Sequence, residues 1–577
     1  MKTFFVPALV LAVMTAGCGN SSSVAASAVQ ASQTPVPVGQ SRAGRIYTMK
    51  IPSPLGNGEM ISFAVHEPAT LEGGKTYPII LHSHGFGGSK ETGSGNGGGS
   101  GLTYSMGAFT SKGYGAISID ERGHGESGGD IRVMDPDFEG KNLVAVVDWA
   151  EANLAWAAYG PDDDAPNPFA QRNLLLGAIG GSYGGGYQYN LLIRDPKRRL
   201  DAIVPDYTWS DLTFSLQPGG VIKTGWVGVL FGAGNTAGSQ GMTAGNFDPF
   251  VTGVLQNGLQ NNKISQEGLD FFRYHGLGYF CDGVPVATNG GAGTAPELPP
   301  LKPGKIHALV TQGYRDTLFN FNDNYKAFEC LKAAGGDVRF TSYQAGHNTL
   351  QAIPDPGQAF QPPGSTTSFA CGNLNKDAAT LAFFEQHLKG QANALATAKV
   401  LPGLCLSLAG TDAIQVADIT RGTAGTMKAV PATNVVSGGG INVPVAVSLY
   451  TAPLTTDVLA GIPYAELEVK DATGLQPNAD TIIFVGIGHR RAPASGAGAG
   501  VWDLVDNQLL PLRGLKTHKV DLVGVAERLR AGDEVGLLFY GAHDQFHLAT
   551  ARPPNNIPVT VTGKVWLPLL GNVAPNP

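Results

Sequence analysis

Short apolar runs alternate with longer stretches of helical periodicity through the first two thirds of the chain. Strands are predicted at Tyr77–His82, Gly115–Asp120, Leu174–Ile179, Asp201–Pro205, Ile306–Thr311 and Val338–Tyr343. Between them, Leu143, Val144, Val146, Val147, Trp149 and Ala150 share one helical face. Gln188–Ile193, Asn322–Ala334 and Asp377–Leu388 are also compatible with helix. Arg45–Ile51 and Met60–His66 precede these and predict an antiparallel pair at a sheet edge. Alternating strands and helices imply a mainly parallel sheet with helices on both faces, whose sites lie beyond the carboxyl ends of the strands. His84, Arg122 and Ser182 each follow a predicted strand and so converge on that edge.

The alternation stops between about 207 and 303. Trp209, Leu212, Phe214, Trp226, Val229, Leu230 and Phe231 are interleaved there with loops and one helical segment, Ile264–Tyr274. Because it interrupts the sheet, this insertion is expected to sit over the strand ends as a cap. Its aromatics, Trp209 and Trp226 among them, could line a pocket or form the cap's own core. From about Val400 the pattern changes to short strands at Ala446–Tyr450, Tyr464–Val469, Thr481–Gly486, His518–Val523, Glu534–Phe539 and Val559–Trp566. Several of these alternate cleanly, which predicts an all-β sandwich over 400–577 after a catalytic domain at 43–395.

The chemistry gathers at Gly180-Gly181-Ser182-Tyr183-Gly184, where an apolar strand meets a helix-compatible run. This is the strand–turn–helix context of a nucleophile elbow, in which flanking glycines avoid collisions and the serine lies at a helix N-terminus. A second match, Gly125-Glu126-Ser127-Gly128-Gly129, lacks both strand and helix, so Ser127 is taken as a loop residue. A serine hydroxyl needs a base, and the base an orienting carboxylate. In this topology they follow the serine on loops after later strands, as Asp316 and His347 do. Asp323 and Asp337 fall in a helix and a turn, and His307 at the opening end of its strand. One oxyanion donor is expected from the N–H of Tyr183 and the other from Gly85 or Phe86, in the loop opened by His84.

These residues resemble the X-prolyl dipeptidyl aminopeptidase and cocaine esterase family of serine hydrolases. The carrying segments are Asp120–Gly129 (DERGHGESGG), Val147-Asp148-Trp149, Gly180–Gly185 and Trp209-Ser210-Asp211-Leu212. The resemblance implies an α/β-hydrolase domain with a helical cap, a C-terminal jelly-roll domain and a triad of Ser182, Asp316 and His347. It departs from the family at one loop. Members offer a tyrosine hydroxyl to the oxyanion, whereas this chain has His84-Gly85-Phe86, closer to lipases and esterases. The expected substrate is therefore a small ester, amide or peptide, with esters favoured over X-prolyl peptides and with His84, Trp209 and Trp226 as pocket residues. A non-catalytic surface or binding protein on the same fold is the rival class.

Composition adds limits. A net charge of −7 without a basic run gives no electrostatic footprint for nucleic acid. No cofactor is required by a serine triad, and neither the cysteine spacing nor the His543/His547 pair suggests a metal. Met1-Lys2, the apolar Phe4–Met14 and Ala16-Gly17-Cys18 form an export signal over 1–18. Its ending resembles a bacterial lipobox, with Cys18 lipidated as the only membrane attachment and 19–42 as a flexible tether. Cys281, Cys330, Cys371 and Cys405 allow three disulfide connectivities. In one of them Cys371–Cys405 brackets a helix, and Cys281–Cys330 ties the insertion to the main domain.

Overall fold

A computed structural model describes residues 35–93, 105–160, 173–235, 246–291, 294–347, 370–409, 411–453, 457–493, 500–546, 556–571 and 573–574. Cys18 with the rest of the leader, most of the 93–101 glycine run, the acidic run at 162–164 and His547 lie outside these residues. Ten strands build the central sheet: β1 (Ile46–Pro52), β2 (Met60–His66), β3 (Ile79–Ser83), β4 (Gly115–Ile119), β5 (Leu176–Gly181), β6 (Leu200–Asp206), β7 (His307–Gly313), β8 (Val338–Tyr343), β9 (Gly403–Ala409) and β10 (Asp412–Val416). Their order across the sheet is β10-β9-β8-β7-β6-β5-β3-β4-β2-β1. Pairing is parallel from β9 through to β4 and antiparallel at both margins. Every residue of β3, β4 and β5 is buried, which is why these strands are continuous apolar runs without alternation.

Helix α1 (Glu139–Asn153) and helix α2 (Tyr183–Arg194) pack beside the sheet, and among the described residues five helices lie between β6 and β7. These five are α3 (Leu212–Leu216), α4 (Thr224–Gly234), α5 (Pro249–Asn261), α6 (Gln266–Tyr274) and α7 (Leu277–Asp282). The insertion is thus a helical cap. Its expected helix at Ile264 begins two residues later, because the Ser265 side chain accepts from the Gly268 N–H and caps the helix. Helix α8 (Phe321–Ala334) and helix α9 (Lys376–Lys389) complete the domain. Cys281 of α7 is bonded to Cys330 of α8, and Cys371 to Cys405 of β9.

The boundary expected at 395–400 is too early. Leu404, Leu406 and Leu408 alternate like a sandwich strand, yet β9 pairs with Arg339–Thr341 and carries β10 with it, so the hydrolase sheet runs to Val416. Beyond it, one four-stranded sheet contains Thr426–Ser437, Ile557–Leu567, Tyr464–Asp471 and Thr517–Asp521. A second is built on Pro444–Thr451, Glu534–Tyr540 and Ile482–Arg490. Leu467, Val561 and Val565 of the first share a core with Val447, Val485 and Leu537 of the second, which makes a sandwich. Asn322 of α8 joins the two parts: its amide donates to Leu522 O at 2.9 Å and accepts from the Gly524 N–H at 2.8 Å.

Candidate active site

Ser182 follows β5 directly with φ 58° and ψ −122°, and α2 begins at the next residue. A non-glycine residue there stores about 1–3 kcal/mol of strain, which the surrounding contacts must hold. They do so closely. The Ser182 N–H donates to Asp206 O at 3.0 Å, and its carbonyl accepts from the N–H groups of Gly185 and Gly186. A Cβ on Gly184 would stand 2.2 Å from Ser83 O, so the end of β3 can approach the elbow only across a glycine. A Cβ on Gly181 would meet the Tyr207 ring at 2.6 Å. Tyr207, held at φ 29°, in turn packs edge-on against the His347 imidazole, with centroids 4.9 Å apart.

Asp316 follows β7 and His347 follows β8, at the carboxyl edge that Ser182 occupies. Asp316 is fully buried. Its Oδ2 accepts from His347 Nδ1 at 2.6 Å and from the His347 N–H at 3.0 Å. Its Oδ1 accepts from the N–H groups of Leu318 and Phe319 at 3.0 and 2.7 Å. The carboxylate thereby fixes the imidazole with Nδ1 as donor and leaves Nε2 for a proton. The sequence's other acids and bases are occupied elsewhere. Asp337 pairs with Arg339 and His387, and His307 stacks on His387. Asp323 is buried and accepts from Ser215 Oγ, and burial pushes its carboxyl up to about 7. Ser127 donates to Asp120 O and accepts from the Ser62 N–H, a fastening of the loop after β4.

The loop after β3 differs from expectation at His84. Its side chain does not line the cavity: Nε2 accepts from the Glu121 N–H at 3.1 Å, so Nδ1 carries the proton to Gly85 O at 2.8 Å. Burial lowers its pKa, so the ring is a neutral brace inside the loop. Phe86 does reach the cavity, its ring 5.1 Å from that of Tyr183. Asp120 of the DERG segment ties down the same loop, accepting from the Lys90 N–H at 2.6 Å and from Lys90 Nζ at 2.5 Å.

Ser182 opens into an apolar cavity beneath the cap. Phe86, Tyr183 and Phe319 line it from the main domain, and Trp209, Leu216, Val227, Leu230, Phe247 and Phe272 are among its cap residues. Among the described residues no charged side chain lines it. Trp209 is therefore a wall residue. Trp226 stands behind the wall, its Nε1 donating to Thr317 Oγ1 at 3.1 Å and its ring edge-on to His347. Lys223, Tyr207, Thr317 and Gln508, which hold the acid and histidine loops, carry no local signal because their partners lie in distant parts of the chain. Such an arrangement can transfer an acyl group through the serine, using the histidine as base. Among the described residues no three His, Cys, Asp or Glu side chains cluster to hold a metal.

Comparison with known proteins bears on the fold. The sheet, cap and elbow define an α/β-hydrolase. Residues 57–246 match the model of the X-Pro dipeptidyl-peptidase (S15) family. An uncharacterized 31.7 kDa protein from the traX-finO intergenic region of Escherichia coli is 27% identical over 157 residues. That alignment spans 27% of this chain and 44% of the relative, so the chain covers under half of that protein. The fold extends further. A CocE/NonD family hydrolase from Staphylococcus aureus superposes with TM-score 0.58 at 13% identity, over 93% of this chain and 99% of its own. An alpha-amino acid ester hydrolase gives 0.59 at 14% over 97% and 100%, and an aminopeptidase from a Thaumarchaeota archaeon 0.59 at 12% over 91% and 97%.

Proposed function

We propose that this chain is a serine hydrolase that cleaves carboxylic esters of apolar acids through an acyl-enzyme on Ser182. Ser182 Oγ attacks the carbonyl carbon while His347 Nε2 takes its proton, and Asp316 stabilises the imidazolium. The N–H of Tyr183, free as the first of α2, and that of Gly85 or Phe86 receive the oxyanion; losing one such donor costs about 3–4 kcal/mol of barrier. The tetrahedral intermediate then expels the alcohol, which leaves with the proton from His347. Water, activated by the same imidazole, releases the acid.

The observation that carries the ester reading is the cavity lining. An X-prolyl dipeptide or an α-amino acid ester brings a free ammonium, and a buried ammonium requires a carboxylate or comparable acceptors. Aromatic and aliphatic walls around Ser182 suit an uncharged acyl group instead. The family match alone favours the second reading, X-Pro dipeptidyl-peptidase activity. The two separate on kcat/KM for p-nitrophenyl butyrate against an Xaa-Pro p-nitroanilide with a free amino terminus. The ester is expected to be favoured by about 100-fold or more, in keeping with the penalty on an unpaired buried charge. An anilide preferred over the ester would overturn the ester reading and leave the peptidase.

A further inference from the structure

The orientation of Asp316 is set by the turn that carries it. Both N–H groups on Oδ1 come from Leu318 and Phe319, and both on Oδ2 from His347. The carboxylate therefore points where the backbone of 316–319 points it, and what holds that backbone holds the catalytic pair.

Two side chains from outside the turn grip its carbonyls. Gln508 Nε2 donates to Tyr314 O at 2.9 Å and to Asp316 O at 2.8 Å. Lys223 Nζ donates to Thr317 O at 2.9 Å and to Leu318 O at 3.0 Å. Both side chains are buried. Gln508 belongs to the C-terminal β domain and Lys223 to the cap, immediately before α4. The turn is further joined to the histidine loop by Thr317, whose N–H and hydroxyl both donate to His347 O.

Neither grip is the cheapest packing available. Burial lowers the Lys223 ammonium to about 8, so an apolar residue of similar length would be easier to fold. Gln508 emerges from a turn in which Asp506 (φ 51°) and Asn507 (φ 58°) are consecutive non-glycine residues at positive φ. Gln545 Nε2 fastens that turn at Asn507 O, 3.0 Å away, and Arg315 faces Asp506 at 3.5 Å. A side chain from a strained turn and a buried ammonium thus both end on the carbonyls of 314–318.

We propose that Gln508 and Lys223 are positioning residues for Asp316, so that the β domain and the cap jointly set the reactivity of Ser182. This rests on the reading of Asp316 as the triad acid. Displacing a catalytic group by about 1 Å is enough to slow a reaction about 100-fold. A role in stability alone would instead reduce the folded fraction and leave each folded molecule fully reactive.

The full chain separates the two. Wild type, Gln508→Met and Lys223→Met are labelled with a fluorophosphonate, following both the rate constant and the final stoichiometry, with Ser182→Ala as blank. The proposal expects one label per chain in each variant, a labelling rate reduced about 10- to 100-fold, and a matching fall in kcat on p-nitrophenyl butyrate. For Gln508→Met, KM stays within about twofold. Wild-type labelling rates in both variants, or a reduced endpoint at wild-type rate, would overturn it while leaving the proposed hydrolase intact. Failure of the wild type to label would instead remove the reading of the site on which the proposal rests. Should Gln508→Met not accumulate, Lys223→Arg against Lys223→Met decides: retained donors restore the rate if positioning is the role, and make no difference if it is not.

Discussion

Glu121 follows β4 and is buried, with its Oε1 unpartnered among the described residues. Burial raises its carboxyl from the usual 4.5 to about 8, and Glu139, also buried, is raised to about 7. The folded protein therefore holds protons that the unfolded chain would release. The stability this gives is fully present below about pH 4.5 and is lost as the pH rises through about 8. Glu121→Gln removes one such group. The thermal midpoint of the wild type is expected to fall relative to that of the variant, by a few degrees, between pH 6 and pH 8. A constant offset across that interval would contradict the assignment. His84 teaches a complementary point about reading residues. A histidine in a glycine-rich loop beside a serine elbow looks the same in sequence whether its ring enters the cavity or turns back. Here the N–H of Glu121, 37 residues away, turns it back.

At the scale of elements, the strands that position the site were legible because β3, β5, β6, β7 and β8 are buried on both faces and stand out as apolar runs. The elbow was legible for a related reason: Gly184 meets Ser83 O so closely that only glycine fits. Residues 403–416 fall on the sandwich side of the expected boundary because their membership depends on β9 pairing with β8, more than 60 residues earlier, and Leu404–Leu408 alternates equally well for either domain. The cap was legible as an interruption, yet its lining was not, since Trp209 and Trp226 have the same local character and only one meets the cavity. The cap is also stapled. Cys281 and Cys330 close a separation of 49 residues between α7 and α8, worth about 4 kcal/mol in a chain-entropy account. Cys281→Ser with Cys330→Ser is expected to lower the urea midpoint by a corresponding amount, and an unchanged midpoint would show that the cap is held without the bond.

Across the whole molecule, the candidate site draws on three regions that the sequence separates widely. The hydrolase sheet supplies Ser182, Asp316 and His347, the cap supplies the apolar wall, and the β sandwich reaches the acid turn through Gln508. Asn322 of α8 fixes the sandwich against the hydrolase domain. Long-range hydrogen bonds of this kind leave no periodic trace, which is why the sandwich was legible as a fold and not as a partner of the site. The proposal that Ser182 is the nucleophile draws on all three regions. It is tested most directly by treating the full chain with a fluorophosphonate and mapping the modified peptide by mass spectrometry. One adduct per chain is expected, on Ser182, with ester turnover abolished in proportion to labelling and no adduct in Ser182→Ala. An unlabelled chain, or an adduct on another serine such as Ser127 with turnover lost, would contradict it.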